Sequence, residues 1–299
     1  MSRPHVVAPS ELSALRDLEL LARTTVEGLR QGLHRSPFHG FSAEFSQYRH
    51  YRPGDDLKYV DWKAFARTDR LYSRQFRETT NLGALFVVDV SRSMNFPETD
   101  SKFALARAAA AVLATLVVDQ GDAAGIFAVA NGGSGPGATH YVPPRSGRHH
   151  LHLCLAALAR LQPQGDTSIA TALKRAGGLL RRRGLIVIVS DLYEEDETIA
   201  EIRRLARMGH DVVTLHVMAK EELALTRGGA TQFVDLETGH RLVASPDAIA
   251  AEYHSAVAAF LARVRKAIAA QGLDYVRLVT GDALEPVLRR YLVGRRGGA

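Results

Sequence analysis

Cys154 is the only cysteine among 299 residues, so no internal disulfide can form, and its isolation fits a reducing compartment. Long runs of hydrocarbon are also missing. The longest apolar stretch, Phe103 to Val118, is interrupted by Arg107 and bounded by Lys102 and Asp119, and it is shorter than the roughly 18 to 20 residues a membrane span needs. It reads as a buried helix. The opening residues, MSRPHVVAPSELSALRDLELLAR, carry charge throughout and contain no apolar core of a signal peptide. The expected location is therefore cytoplasmic, with no direct membrane span. Gly and Pro show no excess that would point to disorder. Neither a phosphate-binding Gly-rich loop nor a Gly-x-Ser-x-Gly nucleophile elbow occurs, which removes two common signatures of hydrolytic enzymes.

A net charge of +6 suggests nucleic acid as a partner. Against that, Lys and Arg are spread along the chain and alternate with acids, whereas a nucleic-acid surface concentrates them. Two basic runs stand out. Arg181, Arg182 and Arg183 read as a solvated helix terminus, and Arg289, Arg290, Arg295 and Arg296 as a basic tail, because cations are favoured where helices end.

Along the chain, Leu12, Leu15, Leu18, Leu21 and Leu29 recur at helical spacing, predicting one or two amphipathic helices over residues 9–33 with Ser10 as a plausible N-cap. Residues 40–77 change character. They are rich in aromatics, Arg and Asp around a Pro-Gly-Asp-Asp turn, and short strands and ordered turns are expected. From residue 84 onward, apolar strands alternate with helices: strands at 84–90, 125–130, 139–142, 185–192, 211–218 and 275–280, helices between them, and a β-hairpin about Thr238-Gly239. Strands that are apolar throughout are covered on both faces. The expected architecture is a doubly wound, mostly parallel α/β sheet. Residues 1–80 would form an N-terminal helical and short-strand extension, and residues 81–299 the sheet domain with a hairpin insertion near 231–245.

The chemistry gathers where strands end. In VVDVSRSM, Asp89, Ser91 and Ser93 stand at alternate positions, which sets three oxygen-bearing side chains on one side of the emerging loop. Doubly wound sheets bind ligands beyond the carboxyl ends of their strands, at the point where the crossovers diverge. In the strand order 3-2-1-4-5-6 the first and fourth strands are neighbours, so Asp191, at the end of LIVIVSDL, should meet Asp89. Thr167, before the next helix, would add a hydroxyl. An all-oxygen set suits Mg²⁺, or Mn²⁺, over Zn²⁺, and so few protein ligands leave positions for water or for a partner's carboxylate.

Asp89, Ser91, Ser93, Thr167 and Asp191 resemble the metal-ion-dependent adhesion site of von Willebrand factor A domains, Asp-x-Ser-x-Ser followed by Thr and Asp. The upstream string YRPGDDLKYVDWKAFARTDRLYSRQFRE, with HRSPFHG before it, resembles the bacterial family called domain of unknown function 58, over about residues 30 to 290. That resemblance implies a von Willebrand factor A-like fold and a non-enzymatic protein-interaction module. It also implies work as an adaptor or assembly factor beside a MoxR-type AAA+ ATPase or its client protein, through an acidic partner residue.

Simpler roles compete for several residues. Thr167 or Ser168 could cap a helix. The cluster Asp55, Asp56, Asp61 and Trp62 reads as turn chemistry, with an Asp pairing to Arg52 or Lys63 and Trp62 in the core. His149, His150 and His152 have no Cys or acidic residue spaced to complete a zinc site, and Cys154 follows an apolar helical stripe into the core. Two other functions remain as alternatives. A metal-assisted hydrolase could use a bound ion to activate water, although no general base stands out, and a basic nucleic-acid-binding protein would show steep salt dependence.

Overall fold

The computed structural model describes residues 9–30, 43–52, 60–78, 82–129, 139–163, 168–193, 195–225 and 229–296. In chain order the elements are α1 (Pro9–Arg30), β1 (Ala43–His50), α2 (Trp62–Thr68), β2 (Tyr72–Glu78), β3 (Gly83–Val88), α3 (Lys102–Asp119), β4 (Ala123–Val129) and β5 (Thr139–Arg145). They continue with α4 (Arg148–Arg160), α5 (Ile169–Ala176), β6 (Leu185–Ser190), α6 (Glu195–Arg207), β7 (Asp211–Met218), α7 (Lys220–Leu223), β8 (Thr231–Val234), β9 (Arg241–Ala244), α8 (Pro246–Ala269), β10 (Asp274–Val279) and α9 (Leu284–Arg296).

The chain divides into two compact units, residues 1–37 with 83–299, and residues 38–82. The break expected near residue 80 lies at one edge of the smaller unit, but α1 belongs with the sheet domain. Its Leu15, Leu18, Ala22, Val26 and Leu29 are buried, and it packs on α3, α4 and α9. Ser10, the expected cap, is the second residue of this helix.

The larger unit holds a six-stranded sheet ordered β10-β7-β6-β3-β4-β5. Counted from β3, this is the doubly wound order expected from the sequence. β10, β7, β6, β3 and β4 run parallel, and β5 pairs antiparallel to β4 at the edge. All of β6, and β3 from Ala84, is buried, because helices cover both faces. Each such Val, Leu or Ile contributes about 1.5–3 kcal/mol of apolar burial. Helix α3, capped by the Ser101 hydroxyl on the Ala104 N–H, is rich in Ala and almost wholly buried, as its all-round apolar sequence predicts. At the edge, β5 carries Pro143 and Pro144 in succession. Gly125 faces it across the pair, where a Cβ would lie 2.6 Å from the Val142 carbonyl oxygen. Only glycine fits so close an approach.

Other expectations fare unevenly. Cys154 is fully buried in α4, with its Sγ 3.5 Å from the Ala124 carbonyl oxygen, as its stripe predicts. His150 also reaches that carbonyl, and His152 pairs with Glu19 of α1. The basic tail is a correction. Arg295 binds Asp211 and Asp274, which begin β7 and β10, and Arg289 donates to the Gly28 carbonyl of α1. A guanidinium fork joins two strand starts more effectively than a solvated cation could.

In the smaller unit, β1 and β2 form an antiparallel hairpin, with an unexpected short helix, α2, between them in the chain. Asp61 caps it, accepting the N–H groups of Lys63 and Ala64 at 3.0 and 2.9 Å and the Tyr48 hydroxyl at 2.7 Å. This is turn chemistry, as expected, but Trp62 is 58% exposed beside Phe65 and is not a core residue. Asp55 and Asp56 lie outside the described residues.

Candidate functional site

Strands β3 and β6 pair side by side up to Val88 and Val189, and the Asp89 N–H continues the ladder to the Val189 carbonyl at 2.9 Å. The ends of both strands therefore emerge together at the carboxyl edge of the sheet. Beyond β3 the chain turns at once. Asp89 Oδ1 accepts the Ser91 N–H at 2.9 Å, Arg92–Asn95 form a single 3-10 turn that follows Ser91, and the fully buried Met94 pins that turn to the core. The Ser91 and Ser93 hydroxyl oxygens face each other at 3.0 Å. Asp89, Ser91, Ser93 and Asp191 thus share one buried corner of the sheet, as the alternate spacing and the strand order predict. Thr167 lies outside the described residues. Ser168 is the cap of α5, its hydroxyl accepting the Thr171 N–H at 3.4 Å.

From the β6 side, Ser190 donates its hydroxyl to Asp89 Oδ2 at 2.6 Å and accepts the Leu192 N–H at 3.0 Å. Leu192 has φ of +56°, a left-handed conformation that a bulky residue adopts only under constraint. The constraint sits directly after Asp191. On the next strand, His216 Nε2 lies 2.9 Å from the Asp191 carbonyl and its Nδ1 lies 2.8 Å from the Tyr275 hydroxyl. Burial pushes this imidazole down to about 4, so it is neutral. A carbonyl can only accept, so Nε2 carries the hydrogen and Tyr275 donates to Nδ1.

Electrostatically the corner is acidic. Burial, and then the neighbouring Asp191 charge, raise the Asp89 carboxyl to about 7. Lys102, the first residue of α3, has no exposed surface, and its ammonium lies 2.8 Å from Asp191 Oδ2 and 2.6 Å from Glu222 Oε1. Burial works against that charge, but Asp191 and Glu222 outweigh it and hold its pKa above the usual value. Glu222 is fixed in turn by the Tyr193 hydroxyl and the Ala219 N–H. Glu237, from the turn between β8 and β9, accepts the Ser93 N–H at 2.8 Å. Lys102, Glu222 and Glu237 were not foreseen. The signal for Lys102 was a lone charge opening a helix apolar on every side; for the two glutamates the sequence offers none.

Chemically, the corner is a hard-oxygen site with one ammonium set against the carboxyl groups of Asp89, Asp191, Glu222 and Glu237. Among the described residues, no three His, Cys, Asp or Glu side chains are grouped to hold a metal by themselves. A cation here would rest on two carboxylates and two serine hydroxyls, and its remaining positions would go to water or to an incoming ligand. The acidic excess and the all-oxygen donors fit Mg²⁺ or Mn²⁺ and not a soft metal.

The family model for "Protein of unknown function DUF58" matches residues 47–262. The chain belongs to this family. Similar chains include uncharacterized proteins of Mycobacterium tuberculosis and Mycobacterium bovis, each 32% identical over 308 aligned positions that cover 100% of this chain and 94% of theirs. Among solved structures, it is similar to the conserved hypothetical protein BatB from Bacteroides thetaiotaomicron, with 17% identity and a TM-score of 0.47 over 72% of this chain and 99% of that one. It is also similar to a von Willebrand factor type A protein from Catenulispora acidiphila, with 18% identity and a TM-score of 0.36 over 48% of this chain and 35% of that one. For this DUF58 chain, the doubly wound order rests on the strand pairing itself. No described helix is long and apolar enough to cross a membrane.

Proposed function

We propose that this DUF58 protein is a metal-dependent protein-interaction module. Asp89, Ser91, Ser93 and Asp191 hold Mg²⁺, with Mn²⁺ as a substitute, and Thr167 completes the set expected from the sequence. A partner's acidic residue binds there. In keeping with the family resemblance, the partner is a MoxR-type AAA+ ATPase or its client, met in the cytoplasm. The observation that carries this reading is the convergence of two carboxylates and two hydroxyls from β3 and β6 at the switch point of the sheet.

When bound, the ion would supply a positive centre to which a foreign carboxylate can be attached. The protein's own groups do the rest. Ser190 and the Ser91 N–H orient Asp89, His216 fixes the backbone at Asp191, and Lys102 neutralises part of the buried acidity. Ser190, the hydroxyl set against Asp89, is fully buried and holds the Leu192 N–H as well, which suits an orienting group, so the reading is one of binding.

Calorimetric titration of Mg²⁺ and Mn²⁺ into the protein and into Asp89→Ala, with circular dichroism to show both folded, tests the site. Binding by the wild type alone supports it, and equal binding by the folded variant would sink it. Capture of a MoxR-type ATPase that is lost on chelation then tests the partner, and capture indifferent to chelator and to Asp89→Ala removes the metal from the interaction.

A further inference from the structure

The carboxylate-binding face of this site already carries a carboxylate. Glu237 reaches Ser93 from 144 residues away in sequence, and the turn that presents it is built to hold that pose. Asp235 accepts the N–H groups of Glu237 and Thr238 at 2.9 and 3.3 Å and the Thr238 hydroxyl at 2.6 Å, an Asx-type turn. Gly239, with φ of +73°, supplies the left-handed residue that closes it. The tip is therefore stiff.

The rest of the hairpin is loosely seated. Between it and the sheet domain lies a cavity of about 730 Å³, lined by Phe96, Tyr193, Phe233 and Tyr253 and opening onto Ser93. Leu242 and Val243 are 64% and 65% exposed, and among the described residues neither β8 nor β9 packs extensively on any other element. Little packing holds such a hairpin in place. Among the described residues, its anchorage at the site is one hydrogen bond from a backbone amide to a carboxylate, the same kind of interaction that a second carboxylate can make.

We propose that Glu237 is an internal ligand. The β8–β9 hairpin fills, within the chain, the place that a partner's acidic side chain takes, and the partner binds by exchanging its carboxylate for that of Glu237 and releasing the hairpin. This rests on the reading of the corner as a carboxylate-binding site. Ser93 links the two roles, since its hydroxyl belongs to the oxygen cluster and its N–H holds Glu237. A hairpin seated in about nine molecules of ten weakens the apparent affinity of any competing carboxylate about tenfold, by the fraction left competent.

The test uses the full-length, ¹⁵N-labelled chain and acetate as the carboxylate probe, following the Ser93 amide by NMR in the wild type and in Glu237→Ala, each with Mg²⁺ and with chelator. Glu237→Ala should move the Ser93 resonance and speed exchange of its amide hydrogen. Acetate should then shift that resonance at about tenfold lower concentration than in the wild type, with Glu237→Gln between the two because its amide oxygen still accepts. Equal acetate responses in wild type and Glu237→Ala, no response in either, or a Ser93 amide indifferent to Glu237→Ala overturns the proposal. The two readings fail separately. A tenfold difference that persists in chelator keeps the internal ligand and removes the ion, whereas an Mg²⁺-dependent response equal in both proteins keeps the ion and removes the internal ligand.

Discussion

At opposite ends of one sheet, a basic side chain is held between two carboxylates. At the carboxyl edge, Lys102 lies between Asp191 and Glu222 with no exposed surface; at the amino edge, Arg295 lies between Asp211 and Asp274, whose side chains remain about a third exposed. Arg295 presents a planar fork that ties the starts of β7 and β10 to α9 in a fixed geometry. Its role is complete in itself. Lys102 is a compact charge in a corner that still has carboxyl groups to spare, with Asp89 raised to about 7 by burial and by the neighbouring Asp191 charge. The same composition is thus a clasp where water shares the charges, and an unfinished electrostatic arrangement where water is excluded.

The largest expected effect that would break this comparison is at Lys102. Lys102→Ala leaves Asp191 and Glu222 without their cation and should cost about 3–5 kcal/mol in urea unfolding, while Lys102→Met should recover only the part due to the empty space, since it fills the place of the alkyl stem but strands the same two carboxylates. A loss below 1 kcal/mol for Lys102→Ala would mean the corner is wetter than its burial implies. Next comes the ion. Mg²⁺ at a hundred times its dissociation constant should stabilise the protein by about 2.7 kcal/mol, leave folded Asp89→Ala unaffected, and act undiminished on Arg295→Ala; thermal unfolding of the three proteins measures this.

Arg295→Ala itself should cost about 1–2 kcal/mol, a charged hydrogen-bond contribution reduced by solvent screening at the half-open carboxylates. Arg295→Lys should not restore it, and molar salt should shrink the difference. The smallest effect belongs to Cys154, whose thiol is buried against the Ala124 carbonyl. Burial pushes its thiol up to about 12 from 9.0, so the folded state favours the protonated form. That contribution is complete below pH 9 and is lost as pH rises from 9 towards 12. At pH 8 a thiol reagent should label the native chain only as fast as it opens; rapid labelling of folded protein would contradict the burial.

Much of this was legible in the sequence because it is local or periodic. The apolar runs of β3, β6 and β7 announce strands covered on both faces, and the alternation about Thr238-Gly239 announces the hairpin. Asp89 and Asp191 could be brought together because a doubly wound order makes their strands neighbours. What escaped depends on partners brought together only by folding. Nothing near Glu237 in the chain says that its turn lands on Ser93, and Arg295 reads as tail until β7 and β10 are seen to begin beside it. Helix α2 is too short for a periodic signal and owes its start to the Asp61 cap. Trp62, with no periodic stripe to place it, reads as core by residue type alone and lies on the surface.

The prolines of β5 bear on how this protein can be approached. Pro143 and Pro144 take two N–H donors out of β5 at the point where its register with β4 breaks, between Val142 and Arg145. A foreign strand trying to lengthen the sheet there would meet a gap in the ladder, and like chains are discouraged from stacking edge to edge. Recognition is steered away from main-chain pairing along that margin and towards the crest of the sheet, where individual side chains do the choosing.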